Sequence, residues 1–241
     1  MPSVHVIATG GTIAGTAGER GVSPSRSGRE LIEAVPQLSD RFDATVTQVT
    51  QRPSTALSTS DIVAMAKTVE RAAATADGVV VMHGTDTMAE TAYYLDLVVG
   101  SDASVVLTGS QRTATDPSPD GPANLVGAFE AATHANVETG AYVFFNDRLH
   151  AARAVGNRHA SNPDAYDSGR YGLVAERTPE GLWFYRRPES LSPRLPRGEL
   201  TATVEVVTTS SGIGGDGLRH AVDRGVDGVV VEASGMGNGP P

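Results

Sequence analysis

The sequence predicts an α/β protein, with a large N-terminal domain on a mostly parallel sheet flanked by helices and a smaller C-terminal α/β domain. Three observations carry this. Short apolar runs recur, among them Gly78-Val79-Val80-Val81-Met82 and Val105-Val106-Leu107. Segments of helical period lie between them, and the turns that follow the runs are rich in glycine and threonine. Strands covered on both faces by crossover helices produce this pattern.

The first strand is predicted over 4–8. A helix over 28–35 follows, opened by the capping box Ser27-x-x-Glu30. Residues 46–49 lie in an alternating stretch, and Ser58-x-x-Asp61 opens a helix with Ile62, Met65, Ala66 and Val69 on one face. After the strand at 78–82, Thr87-x-x-Glu90 is expected to cap a helix carrying Ala92, Leu95 and Val99. The strand at 105–107, a helix over 122–135 and a strand at 142–145 complete the series. Residues 147–199 are polar and rich in Arg and Pro, and read as a meander with short strands at 172–175 and 182–185. A new α/β unit then begins, with strands at 204–208 and 228–232 around a helix at 217–223. The expected domains are 1–187, a linker 188–200, and 201–241 as the start of a small domain. One β-α-β unit buries little surface, so this domain is expected to be incomplete and less stable than the first.

Composition excludes several function classes. There are 28 acidic and 19 basic residues, a net charge of −9, and no basic run. Neither nucleic-acid binding nor attachment to an anionic membrane is expected. Cysteine is absent, which removes thiolate catalysis and cysteine-ligated metals. The six histidines are scattered without ligand spacing, so neither a metal nor another cofactor is expected. Met1-Pro2-Ser3 leads straight into the first strand with no basic region or long apolar stretch, and a cytoplasmic protein is expected.

Ligands of open parallel sheets bind at the carboxyl ends of the strands. Three such ends are dense in small polar residues: Thr9-Gly10-Gly11-Thr12-Ile13-Ala14-Gly15, His83-Gly84-Thr85-Asp86-Thr87 and Thr108-Gly109-Ser110-Gln111-Arg112. Each alone is a good strand-to-helix connector; three together point to a site. The first fits neither the dinucleotide fingerprint nor the phosphate loop, and no G-x-S-x-G or H-E-x-x-H occurs. Hydroxyl-based nucleophilic chemistry remains, with Thr12 and Thr85 as candidates and Asp86 positioned to bind an ammonium group or orient a proton relay.

The first loop, together with Val81-Met82-His83-Gly84-Thr85-Asp86-Thr87-Met88-Ala89-Glu90-Thr91-Ala92, resembles the two signature segments of the bacterial-type L-asparaginase and glutaminase-asparaginase family. Ala34-Val35-Pro36-Gln37-Leu38, Asp120-Gly121-Pro122, Asn146-Asp147 and Gly237-Asn238-Gly239 extend the match along the chain. The resemblance implies an amidohydrolase that splits asparagine, with glutamine as the longer homologue, into the acidic amino acid and ammonia. It also implies a homodimer or homotetramer. Thr12 then matches the attacking threonine, and Thr85 and Asp86 the second hydroxyl and its carboxylate neighbour. Ser54, followed by Thr55, sits where the α-carboxylate binds, and Ser110 would line the pocket floor. Amides near Gly11 and Gly84 would hold the oxyanion, and Asn238 matches a residue that reaches across a subunit interface.

Two positions depart from the family. Its catalytic lysine falls on Asn157, and the chain's only lysine is Lys67. Arg158 stays protonated and cannot serve as a base. The loop tyrosine common in the family is missing between Gly15 and Glu30, with Val22 near its place. The alternative to an active enzyme is a degenerate member that binds aspartate-like ligands with little turnover. An amide can hydrogen-bond but cannot titrate, and acid–base help is typically worth about 10²–10⁴-fold in rate. Asn157→Lys is therefore expected to raise kcat with KM little changed, with Arg158→Lys as the control. Steady-state ammonia release checks this, and no gain in either variant of a protein that is already a fast asparaginase would show that Asn157 is not a lost catalytic group.

Overall fold

The structure is a computed structural model that describes residues 1–18, 21–100, 103–187, 190 and 192–239. Pro188, Glu189 and Leu191 of the expected linker, and Pro241, lie outside the described residues, as does the side chain of Val22. The chain forms two compact units, Met1–Gly198 and Glu199–Pro241.

In chain order the first unit runs β1 (Ser3–Gly10), β2 (Gly15–Gly18), β3 (Gly21–Pro24), α1 (Gly28–Glu33), α2 (Pro36–Arg41), β4 (Asp43–Arg52), α3 (Thr59–Ala73) and β5 (Gly78–Met82). It continues through α4 (Met88–Val98), β6 (Ser104–Thr108), α5 (Gly121–Ala132), β7 (Gly140–Phe145), β8 (Arg148–Ala151), β9 (Gly156–Asn157), β10 (Tyr166–Asp167), β11 (Ala175–Thr178) and β12 (Gly181–Phe184). The main sheet has eight strands in the order β12-β11-β8-β7-β6-β5-β1-β4. From β4 to β7 all neighbours are parallel, and β8, β11 and β12 extend the sheet antiparallel.

The two-residue period of the strands divides the core. Val6, Val80, Val106 and Phe144 pack beneath α1, α2 and α5. Their neighbours Ile7, Val79, Leu107 and Val143 pack beneath α3 and α4. Consecutive residues of β5 thus serve opposite layers, which is why that strand is wholly apolar. Gly127 of α5 faces Phe144 so closely that a Cβ there would lie 2.0 Å from the ring, and this lets the helix sit down on the sheet. The capping boxes Ser27/Glu30 and Ser58/Asp61 are both formed.

Several local expectations are corrected. Thr87 is the N-cap of α4, but its side chain makes no capping bond; its hydroxyl donates to the Ser54 carbonyl at 3.3 Å. The helix expected over 122–135 stops at Ala132, where the Thr133 hydroxyl turns back to the Phe129 carbonyl at 2.9 Å. The strand expected at 172–175 begins only at Ala175, because Gly172 has φ +67° and ends a short 3-10 turn. The meander contributes β8, β11 and β12 to the main sheet. Beyond β12 the chain is fastened to the first unit: the Ser190 hydroxyl donates to Asp96, the Leu195 N–H donates to the Leu97 carbonyl, and Arg197 pairs with Glu70.

The second unit contains β13 (Val204–Thr208), α6 (Asp216–Asp223) and β14 (Gly228–Glu232), the two strands being parallel with Val206 opposite Val230. Ala221 is its one buried apolar side chain among the described residues, while Val204, Val206, Val222 and Val230 are exposed. Among the described residues no helix is long and apolar enough to cross a membrane.

Candidate active site

Parallel pairing brings the carboxyl ends of β1, β4, β5 and β6 to one edge of the sheet. The loops there are in backbone contact. Gly11 has φ +79°, and a Cβ on it would lie 2.4 Å from the Gly84 Cα and 2.6 Å from the Gly84 nitrogen. A Cβ on Gly84 would in turn lie 2.7 Å from the Ser54 Oγ. Such distances forbid any side chain, and φ +79° independently favours glycine. The loops bearing Thr12, Thr85 and Ser54 are therefore stacked through two glycines. Cross-links tie the strand ends below them. The Thr9 hydroxyl donates to the Met82 carbonyl at 2.9 Å, and the His83 N–H donates to the Thr108 carbonyl at 2.8 Å.

Thr12 is partly exposed at the start of a single 3-10 turn, anchored by the buried Ile13 and Ala14. Thr85 is buried, and its carbonyl accepts from Asn157 Nδ2 at 3.1 Å and Tyr166 Oη at 2.7 Å. Asp86 is exposed beside a groove of about 660 Å³ that Glu90, Tyr93, Arg153, Asn157 and Arg158 also line. Ser54 is buried, and its Oγ has no hydrogen-bond partner; such a group is destabilising unless something completes it. Thr55, next to it, is exposed.

Three expected residues stand differently from the rest. The Gly11 N–H donates to the Arg52 carbonyl at 3.3 Å, and Gly11 brings its loop into close approach with Gly84. Ser110 is buried, and its hydroxyl donates to the Arg112 carbonyl at 2.7 Å. The Asp120 carboxylate fixes the same loop by accepting the Gln111 and Arg112 N–H groups at 3.0 and 2.9 Å. Asn238 belongs to the second unit, where it pairs with Ser234.

His83 is fully buried, and its Nδ1–H donates to the Gly84 carbonyl at 2.8 Å. Burial lowers its pKa to about 4, against which that hydrogen bond acts in the opposite sense. The neutral ring braces the turn that carries Thr85. Among the described residues no three His, Asp or Glu side chains converge as a metal site requires.

A family profile described as Asparaginase, N-terminal, matches residues 3–190. The chain belongs to the asparaginase family. Curated asparaginases align along most of it: L-asparaginase of Bacillus licheniformis is 34% identical over 99% of this chain and 75% of its own length. L-asparaginase 2 of Escherichia coli K12 is 33% identical over 99% of this chain and 71% of its own length. For L-asparaginase 2 of Bacillus subtilis the identity is 37%, over 72% of this chain and 48% of the relative. The crystal structure of a probable cytoplasmic L-asparaginase from Campylobacter jejuni superposes with a TM-score of 0.90 and 32% identity, over 100% of this chain and 76% of that one.

Within this asparaginase chain, Asn157 stands directly against the Thr85 backbone. Tyr166, also on Thr85, is the site residue that sequence reasoning missed. Its place follows from pairing opposite Asn157 in the ribbon of β9 and β10, and a two-residue strand leaves no periodic signal.

A pH dependence of stability follows from His83. Its native pKa near 4 lies below the ordinary 6.5, so the unfolded state binds the extra proton between those values. Stability is full above about pH 6.5, falls as pH drops towards 4, and this contribution is complete below that. Each such proton gives a slope of up to about 1.4 kcal/mol per pH unit. Urea unfolding across this window should show a slope that His83→Gln lowers by close to one proton.

Proposed function

We propose that this protein is an L-asparaginase that hydrolyses the side-chain amide of L-asparagine to L-aspartate and ammonia, with Thr12 as nucleophile. The observation that carries the proposal is the stack of Gly11 on Gly84. It brings a partly exposed threonine beside a second threonine–aspartate pair at the sheet edge where ligands bind.

In this mechanism the Thr12 Oγ attacks the amide carbon, and its proton passes by way of Thr85 to the departing nitrogen. Backbone amides around Gly84 support the charge on the carbonyl oxygen, usually the largest contribution in acyl transfer. Ammonia leaves, and Thr12 carries a β-aspartyl ester. Water then attacks the ester carbon, aspartate departs, and the proton returns to Thr12. Asp86 holds the substrate ammonium. The orphaned Ser54 Oγ donates to the α-carboxylate with Thr55 beside it, and that bond completes an otherwise unpaired buried group. Ser110 lines the base of the site through its loop.

The resemblance of the whole chain to the family further supports a homodimer or homotetramer in which Asn238 reaches a neighbouring subunit. The location named for the Campylobacter jejuni protein supports a cytoplasmic enzyme.

Thr12→Ala in the full-length protein should lower kcat by several orders of magnitude with the fold intact. Ser54→Ala should instead raise KM by about 10-fold and leave thermal stability nearly unchanged, since its hydroxyl makes no internal bond. Ammonia release measured against asparagine concentration separates the two, and an unaltered rate in Thr12→Ala would refute the assignment.

A further inference from the structure

β9 and β10 form an antiparallel ribbon in which Asn157 lies directly opposite Tyr166. Side chains of directly opposed residues project to one face, and these two converge on one acceptor. Asn157 Nδ2 donates to the Thr85 carbonyl at 3.1 Å, and Tyr166 Oη donates to it at 2.7 Å. A carbonyl oxygen has two lone pairs, so both bonds can form together.

Each donor is itself held. Asn157 Oδ1 accepts the His159 N–H at 3.1 Å, which turns the amide nitrogen towards Thr85. The Tyr166 ring is buried and packs on Phe145 with centroids 4.9 Å apart. The Arg158 N–H closes the ribbon onto the Ala165 carbonyl at 2.7 Å. Burial raises the Tyr166 pKa, and the carboxylates of Glu90 and Asp86 raise it further, so its hydroxyl remains a donor.

The acceptor needs such partners. Thr85 lies two residues before the N-cap of α4, outside the helical bonding, and the Thr87 side chain leaves the cap to bond Ser54. We propose that Asn157 and Tyr166 form a two-donor clamp on the Thr85 carbonyl and act as positioning residues, fixing the Thr85–Asp86 peptide. Residue 157 then works through geometry and transfers no proton, and the Thr85 hydroxyl and Asp86 carboxylate are aimed by a ribbon some 70 to 80 positions away in sequence. The catalytic half of this proposal rests on the asparaginase reading above.

The test uses the full-length protein with Tyr166→Phe, which removes only the hydroxyl, and Asn157→Ala, which changes a partly exposed side chain. Each variant should lower kcat by about 10-fold or more with KM within about twofold, since small misplacements of reacting groups act on turnover. Hydrogen exchange of the Asp86 amide, which shares a peptide plane with the Thr85 carbonyl, should quicken at least about 10-fold, while amides of β5 keep their wild-type rates. Wild-type kcat in both variants, or an unchanged Asp86 amide in both, would overturn the clamp. If the wild-type protein releases no ammonia from asparagine, the functional reading fails and the Asp86 amide alone decides. Faster exchange in the variants then upholds the clamp, and unchanged exchange overturns it.

Discussion

At the carboxyl edge of the sheet the backbone of Gly11 lies against that of Gly84, and Gly84 lies against Ser54. This contact depends on two missing side chains and on one residue at φ +79°. The loops of Thr12, Thr85 and Ser54 are stacked through it. Thr12 follows one glycine and Thr85 follows the other, so their spacing is set by backbone contact rather than by side-chain packing. Close-packed interiors transmit displacement because they hold little free volume to absorb it. The strand ends beneath are tied together by Thr9 and by the His83 backbone, which gives the contact a rigid floor.

The rest of the first unit supplies what that contact requires. Its central parallel strands β5, β6 and β7 are wholly buried, and β4 lies partly exposed at the sheet edge. The antiparallel extension through β8 leads the chain on to the ribbon of β9 and β10, which reaches back to Thr85. Asn157 in that ribbon supplies an amide donor to the Thr85 carbonyl. The buried Ser54 hydroxyl at the same edge has no hydrogen-bond partner. Asn238 belongs to a unit that buries little apolar surface of its own.

Much of this was legible in the residues. Strands such as 78–82 are wholly apolar because both faces are covered, and a run of that kind has one simple reading. Ser27/Glu30 and Ser58/Asp61 are local four-residue devices, so their capping could be read without tertiary knowledge. The same pattern at Thr87/Glu90 misled, since a long-range partner, the Ser54 carbonyl, takes the hydroxyl. The short antiparallel strands β11 and β12 carry mixed polarity at the sheet edge, where alternation is weak and Gly172 breaks the backbone. In the site, the glycine–threonine loops announced themselves by composition. The bond of the Gly11 N–H to the Arg52 carbonyl and that of the Tyr166 hydroxyl to the Thr85 carbonyl did not, because each partner is distant in sequence.

The dependence of the site on the glycine contact is tested most directly by Gly11→Ala, measured as asparagine turnover in the full-length protein with amide spectra recorded in parallel. Gly198→Ala is the control, because a Cβ there meets nothing within 4 Å. A Cβ at position 11 must push the Thr12 and Thr85 loops apart. Turnover should fall by about 100-fold or more while the resonances of the central strands stay native. Turnover close to that of the control, with Gly11→Ala folded, would contradict the claim that this backbone contact holds the two threonines in one site.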